Sequence, residues 1–66
     1  MIVEYEMPRD GSFVMGVNLI DCDLNPVQRD QIFEYMKNEK MLLEYLKKVL
    51  PNAKIKKIIK NPPKSL

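Results

Sequence analysis

Histidine and tryptophan are absent from this 66-residue chain, cysteine occurs once and glycine twice. Each shortage removes a class of chemistry. Without histidine there is no imidazole base for a nucleophile and no Cys/His zinc set. The lone Cys22 excludes an intrachain disulfide, and its acidic neighbours Asp21 and Asp23 work against a nucleophilic thiolate. Gly11 and Gly16 are too few and too far apart for a phosphate-cradling loop. Ser12 and Ser65 are the only serines. Paired carboxylates occur as Glu4 and Glu6 on one side of a strand pattern, where repulsion and exposure are commoner than acid–base work. The expectation is a non-enzyme with no catalytic residue, no cofactor and no metal.

Long apolar runs are also missing. None approaches the roughly 18 residues that span a bilayer. The opening MIVEYEMPRD has neither the basic segment nor the apolar stretch of a signal peptide. A cytoplasmic protein without membrane association is expected.

What is present suits a small globular domain: 45% hydrophobic and 30% charged residues, with five methionines. Met is flexible enough to fill an irregular core or an adaptable contact surface. A chain this short buries only about 60% of its unfolded surface, so self-association as a homodimer is a natural way to add buried area. Net charge is +2, unevenly spread. Residues 1–36 carry −5 and residues 37–66 carry +7, the latter from nine lysines against Glu39 and Glu44.

Residues 2–7, IVEYEM, alternate with the period of a half-buried strand, placing Val3, Tyr5 and Met7 on one face and Glu4 and Glu6 on the other. Residues 13–20, FVMGVNLI, alternate with Phe13, Met15, Val17 and Leu19 together. A three-residue loop Arg9-Asp10-Gly11 pairs Met7 with Phe13, Tyr5 with Met15 and Val3 with Val17, so every large apolar residue shares one face. Gly11 then takes the left-handed position of a type I turn with a G1 bulge.

Asn25 reads as a helix N-cap, with Pro26 at the first helical position and Gln28 completing a capping box. The helical pattern runs to Leu50. Ile32, Met36, Leu43, Leu46 and Leu50 form its apolar stripe, widened by Leu42 and Val49. Glu44 with Lys40, Lys47 and Lys48 adds surface pairs. A continuous helix would span about 36 Å, longer than strands of this size, so a break near Asn38-Glu39 is expected. Residues 53–60, AKIKKIIK, admit two readings: Ile55, Ile58 and Ile59 suit a helix at i, i+3 and i+4, while three β-branched isoleucines after a helix stop suit a strand, which is the expectation here. Ile55 and Ile59 would face inward, Lys54, Lys56 and Lys60 outward, with Lys57 escaping at a margin.

The fold expected is therefore α+β: a small ββαβ domain over residues 1–60, with a three-stranded sheet of order 2-1-3 and one long or kinked helix packed on one face. A right-handed crossover would carry the chain from the second strand to the third, which would lie antiparallel beside the first and bring Glu4 and Glu6 near its outward lysines. Residues 61–66 are expected to form a short extended tail.

Residues 21–25, DCDLN, imitate the start of a calcium loop, but the positions that need glycine and glutamate hold Pro26 and Ile32. A strand exit leading into the N-cap accounts for them better. The lysines Lys47, Lys48, Lys54, Lys56, Lys57, Lys60 and Lys64 are the strongest functional signal. They suit phosphates, yet lysines also complement the end of a helix dipole and guard sheet edges. No aromatic interleaves with them as a stacking platform would require. Tyr35 and Tyr45, off the main stripe of the helix, are candidate interface anchors. In element order the chain resembles small phage-encoded inhibitors that occupy a host enzyme. The expected function is a protein-interaction module, a regulator or inhibitor binding its partner protein through a charge-polarised surface. The alternative is a nucleic-acid-binding protein using the C-terminal lysines.

Overall fold

The computed structural model describes residues 1–9, 11 and 13–60; the expected tail over residues 61–66 lies outside them. Two strands, β1 (Ile2–Pro8) and β2 (Gly16–Ile20), precede two helices, α1 (Pro26–Tyr35) and α2 (Glu39–Val49), and a last strand β3 (Lys54–Lys60). The sheet order is β2-β1-β3, as expected of an α+β domain.

Asn25 caps α1 with the reciprocal pair the sequence implies. Its Oδ1 accepts the Gln28 N–H at 2.8 Å, and the Gln28 side chain accepts the Asn25 N–H at 3.0 Å. The helical pattern breaks where strand length demands it. Asn38 is extended, at φ −146° and ψ 117°, and its side chain accepts the Met41 N–H at 3.2 Å, which starts α2. The break resets the phase of the apolar stripe. Leu42, rather than Leu43, joins Ile32, Leu46 and Leu50 in the core; Met36, Leu43 and Val49 are partly covered.

That break also reverses the third strand. A single long helix would deliver the chain to the far end of β1, making β3 antiparallel to it. With the helix divided, α2 brings the chain back, and the Lys54 N–H meets the Met1 carbonyl at 3.0 Å. β3 therefore runs parallel to β1, from Ile2 opposite Lys54 to Pro8 opposite Lys60. The expected antiparallel pairing is corrected accordingly.

The hairpin register differs as well. Tyr5 faces Val17 and Val3 faces Leu19, two residues beyond the expected pairing. A shift of two preserves faces, because side chains alternate. The connecting segment is longer than three residues, and Gly11 has no positive φ. Glycine is needed there for a close approach: a Cβ on Gly11 would overlap the Pro8 ring. Just before Gly16 the Met15 N–H reaches the Glu6 carbonyl at 2.7 Å, although Glu6 already faces Gly16. The extra residue flips the faces upstream, as a bulge does. Val14 is thereby buried, while Phe13 and Met15 are 52% and 46% exposed, the reverse of the expected placement. The Val14 N–H fastens this segment to the Met36 carbonyl at 2.7 Å.

Val3, Tyr5 and Met7 of β1, Val14, Leu24, Ile32 and the three leucines of α2 and its cap make the core. Leu42, Leu46 and Val3 are completely buried, each worth about 2 kcal/mol relative to exposure. The helices cover one face of the sheet. Among the described residues no element lies over the other face.

Candidate functional site

The lysines divide between the two layers. On the uncovered sheet face, β3 presents Lys54, Lys56 and Lys60 beside the Glu4 and Glu6 of β1, with Glu4 in register with Lys56. Lys60 Nζ is 3.2 Å from Glu6 Oε1, and Asn18 of β2 donates to Glu4 Oε1 at 3.3 Å. Parallel pairing keeps the expected glutamate–lysine neighbourhood, since side chains opposite one another share a face in either direction. Half-buried Ile2, Pro8, Ile20 and Ile58 fill the gaps between the charges. The face thus carries a lysine stripe, a carboxylate stripe and an uncharged stripe.

Lys47 and Lys48 belong to the helical layer, in the last turn of α2, where positive charge complements the helix dipole. Lys64 lies outside the described residues. The expected pairs of Glu44 with Lys40, Lys47 and Lys48 are not among the ion pairs of the described residues, which are Lys37–Glu34, Lys57–Glu39 and Lys60–Glu6.

Lys57 has a structural post. It is opposite Tyr5 in the ladder, which puts it on the helix-covered face at the sheet margin. Lys57 Nζ lies 2.9 Å from Glu39 Oε2, and the Tyr5 hydroxyl donates to the same oxygen at 2.7 Å. The hydrogen bonds from Lys57 and then Tyr5 hold the Glu39 carboxyl below its ordinary range. Burial, followed by the hydrogen bond and charge of Glu39, pushes the Tyr5 hydroxyl up to about 12. This arrangement joins α2 to the two strands beneath it. Ile55 packs on the core as expected, but Ile59 is 53% exposed at the end of the same face.

Tyr35 and Tyr45 meet each other, with ring centroids 5.1 Å apart and planes tilted by 52°. With Met41, Glu44 and Lys48 they line a shallow cleft of about 200 Å³ between the helices. Both rings also pack on the core, so part of each is committed to structure. Cys22 is half-buried, its Sγ 3.4 Å from the Ile2 and Ile20 carbonyls. Asp21 takes a positive φ of 54° at the strand exit, and the Asn25 side chain is occupied in the cap, so the DCDLN segment turns the chain into α1.

Two exposed features went unread in the sequence. Phe13 and Met15 emerge only because of the offset before Gly16. The outer edge of β2, GVNLI, carries no charge; the run itself was the available signal. Comparison with protein-family models, curated proteins and solved structures finds no match. Among the described residues no helix is long and apolar enough to cross a membrane.

Proposed function

We propose that this chain is a non-enzymatic protein-interaction module, acting as a regulator or inhibitor, and that it binds its partner through the uncovered face of the sheet. One observation carries the reading: the lysine stripe of β3 lies against the carboxylates of β1, with Lys60 on Glu6 at 3.2 Å. A phosphate backbone approaching Lys54, Lys56 and Lys60 would meet two carboxylates one strand away, about 5 Å across. Nucleic acid favours uninterrupted positive charge. A protein surface with acids over the lysine stripe and bases over the glutamates satisfies both signs, and Ile2, Ile20 and Ile58 add the apolar area such interfaces use.

Charge reversal tests this reading. In capture from the source cell's lysate, one protein should be retained by the wild type and by Lys47→Glu/Lys48→Glu, and lost by Lys54→Glu/Lys56→Glu. Equal capture by all three forms, or none by any, counts against the proposed face. Labelled DNA and RNA should bind weakly at every salt concentration. Micromolar, steeply salt-dependent binding that disappears in Lys54/Lys56/Lys57/Lys60→Ala would establish nucleic-acid binding in its place.

A further inference from the structure

The two edges of the sheet are built differently. The free edge of β3 carries Lys54, Lys56, Lys57 and Lys60, so pairing it with a copy of itself would set like charges together. The free edge of β2, from Gly16 to Ile20, carries no charge and no proline, and among the described residues no element runs along it.

The backbone of β2 is also unfinished in a definite way. The Glu6 carbonyl accepts from β2, and the Met1 carbonyl accepts from β3. Alternation along a strand then sends the backbone groups of Ile2, Glu4 and Glu6 toward β2, and those of the odd-numbered residues toward β3. Gly16, Asn18 and Ile20, opposite Glu6, Glu4 and Ile2, spend their backbone groups on β1. Val17 and Leu19 direct theirs to the free edge. No described residue outside the sheet bonds to either.

We infer that the β2 edge is a self-pairing interface, at which two copies join antiparallel about a two-fold axis through Asn18 into a continuous six-stranded sheet. In that register Val17 opposes Leu19 of the second copy. Both residues aim their N–H and C=O outward, so the two equivalent pairs make four hydrogen bonds and consume every outward backbone group between Gly16 and Ile20. A register displaced by one residue would waste them. The side chains fit the same register. On the uncovered face Ile20 falls opposite Gly16 of the second copy, where the missing Cβ leaves room for it. The two Asn18 amides meet at the axis as a close, non-hydrogen-bonded pair. On the helix side, Val17 and Leu19 border a hollow of about 250 Å³ closed by Arg29, Ile32 and Phe33. Phe33, 63% exposed in the single chain, gains the second copy's aliphatic side chains as cover.

This edge is separate from the Lys/Glu stripes, so dimerisation leaves the uncovered faces of both copies side by side and accessible. The partner reading and this one can fail independently.

Sedimentation velocity of the full chain, from micromolar to about 1 mM, reads the association. The wild type should form a dimer, and the Val17 and Leu19 amides should gain protection from hydrogen exchange as concentration rises. Asn18→Lys places two ammonium groups at the axis and raises the dimer Kd at least about tenfold. Within each chain that lysine faces Glu4, so the fold is kept, with an unchanged circular dichroism spectrum as the check. A chain that stays monomeric up to about 1 mM overturns the inference. So does a dimer that Asn18→Lys leaves intact, or one whose concentration-dependent protection falls on β3.

Discussion

Lys57 on β3 and Tyr5 on β1 share one acceptor: both reach Oε2 of Glu39, at 2.9 and 2.7 Å. A residue from the first turn of α2 is thereby fastened to the middle and the edge of the sheet at once. The contact is partly exposed, with the Lys57 side chain 44% accessible, so its energetic worth is that of a good surface pair, about 1 kcal/mol or less. Its specificity matters more. It sets α2 over β1 and β3 with Leu42 and Leu46 pointing down.

Acid should weaken the protein through this carboxylate. Glu39 titrates lower folded than unfolded, so its contribution is complete above the unfolded glutamate pKa of about 4.3 and fades as pH falls through the folded value. Chemical denaturation between pH 7 and pH 3 should show wild-type stability falling more steeply than that of Glu39→Gln. Parallel curves would assign no linkage to this group.

Tyr5 governs the alkaline side. Its folded pKa of about 12, against an ordinary value of 10.0, means the unfolded chain releases the proton first. The contribution of Tyr5 is complete below pH 10 and is lost as pH rises toward 12. Tyr5→Phe should remove that part of the decline, at a moderate cost for leaving Glu39 with one donor fewer. Ultraviolet titration of the phenolates should find one of the three tyrosines ionising last.

The offset before Gly16 predicts an inverted ranking of three neighbours. Val14→Ala should cost about 2 kcal/mol, seen as a lower denaturation midpoint. Phe13→Ala and Met15→Ala should each stay within about 0.5 kcal/mol, as exposed positions do. The opposite order would restore the alternation read from the sequence and remove the offset.

Both helix caps should be separately measurable. Asn25→Ala and Asn38→Ala should each destabilise by about 1 kcal/mol, and replacement by glycine by a few tenths. For Asn38 the loss has a further consequence, because the cap enforces the break that returns the chain to the start of β1. Asn38→Ala should therefore also reduce the hydrogen-exchange protection of the Lys54 amide, which is bonded to the Met1 carbonyl.

Local chemistry was readable wherever it was self-contained. The Asn25–Gln28 box needs only a helix and four residues, so its signature carries the answer. A break near Asn38-Glu39 followed from helix length against strand length, whereas the capping role of Asn38 did not. The alternation of β1 named its core side correctly, with Val3, Tyr5 and Met7 all buried. The strand at residues 54–60 followed from its β-branched residues. Hairpin register was less legible, because a shift of two residues leaves every face unchanged and local pattern cannot tell the alternatives apart. The candidate site was legible in part. The proximity of Glu4 and Glu6 to the β3 lysines could be read from the charges, but the role of Lys57 could not, since its carboxylate partner is eighteen residues away on another element.

Composition and spacing by themselves determined the α+β class, the order of elements, the Asn25 cap, the break and the inward side of β1. These depend on interactions within a turn or along a strand. The tertiary structure alone decided the direction of β3, the precedence of Leu42 over Leu43 and of Val14 over Phe13 and Met15 in the core, and which edge of the sheet is left undefended. Each depends on where a distant segment returns. A helix broken at Asn38 sends the chain back rather than onward, and one extra residue before Gly16 turns a strand over. Those choices are settled by closing a core around β1, and no window of the sequence contains both sides of it.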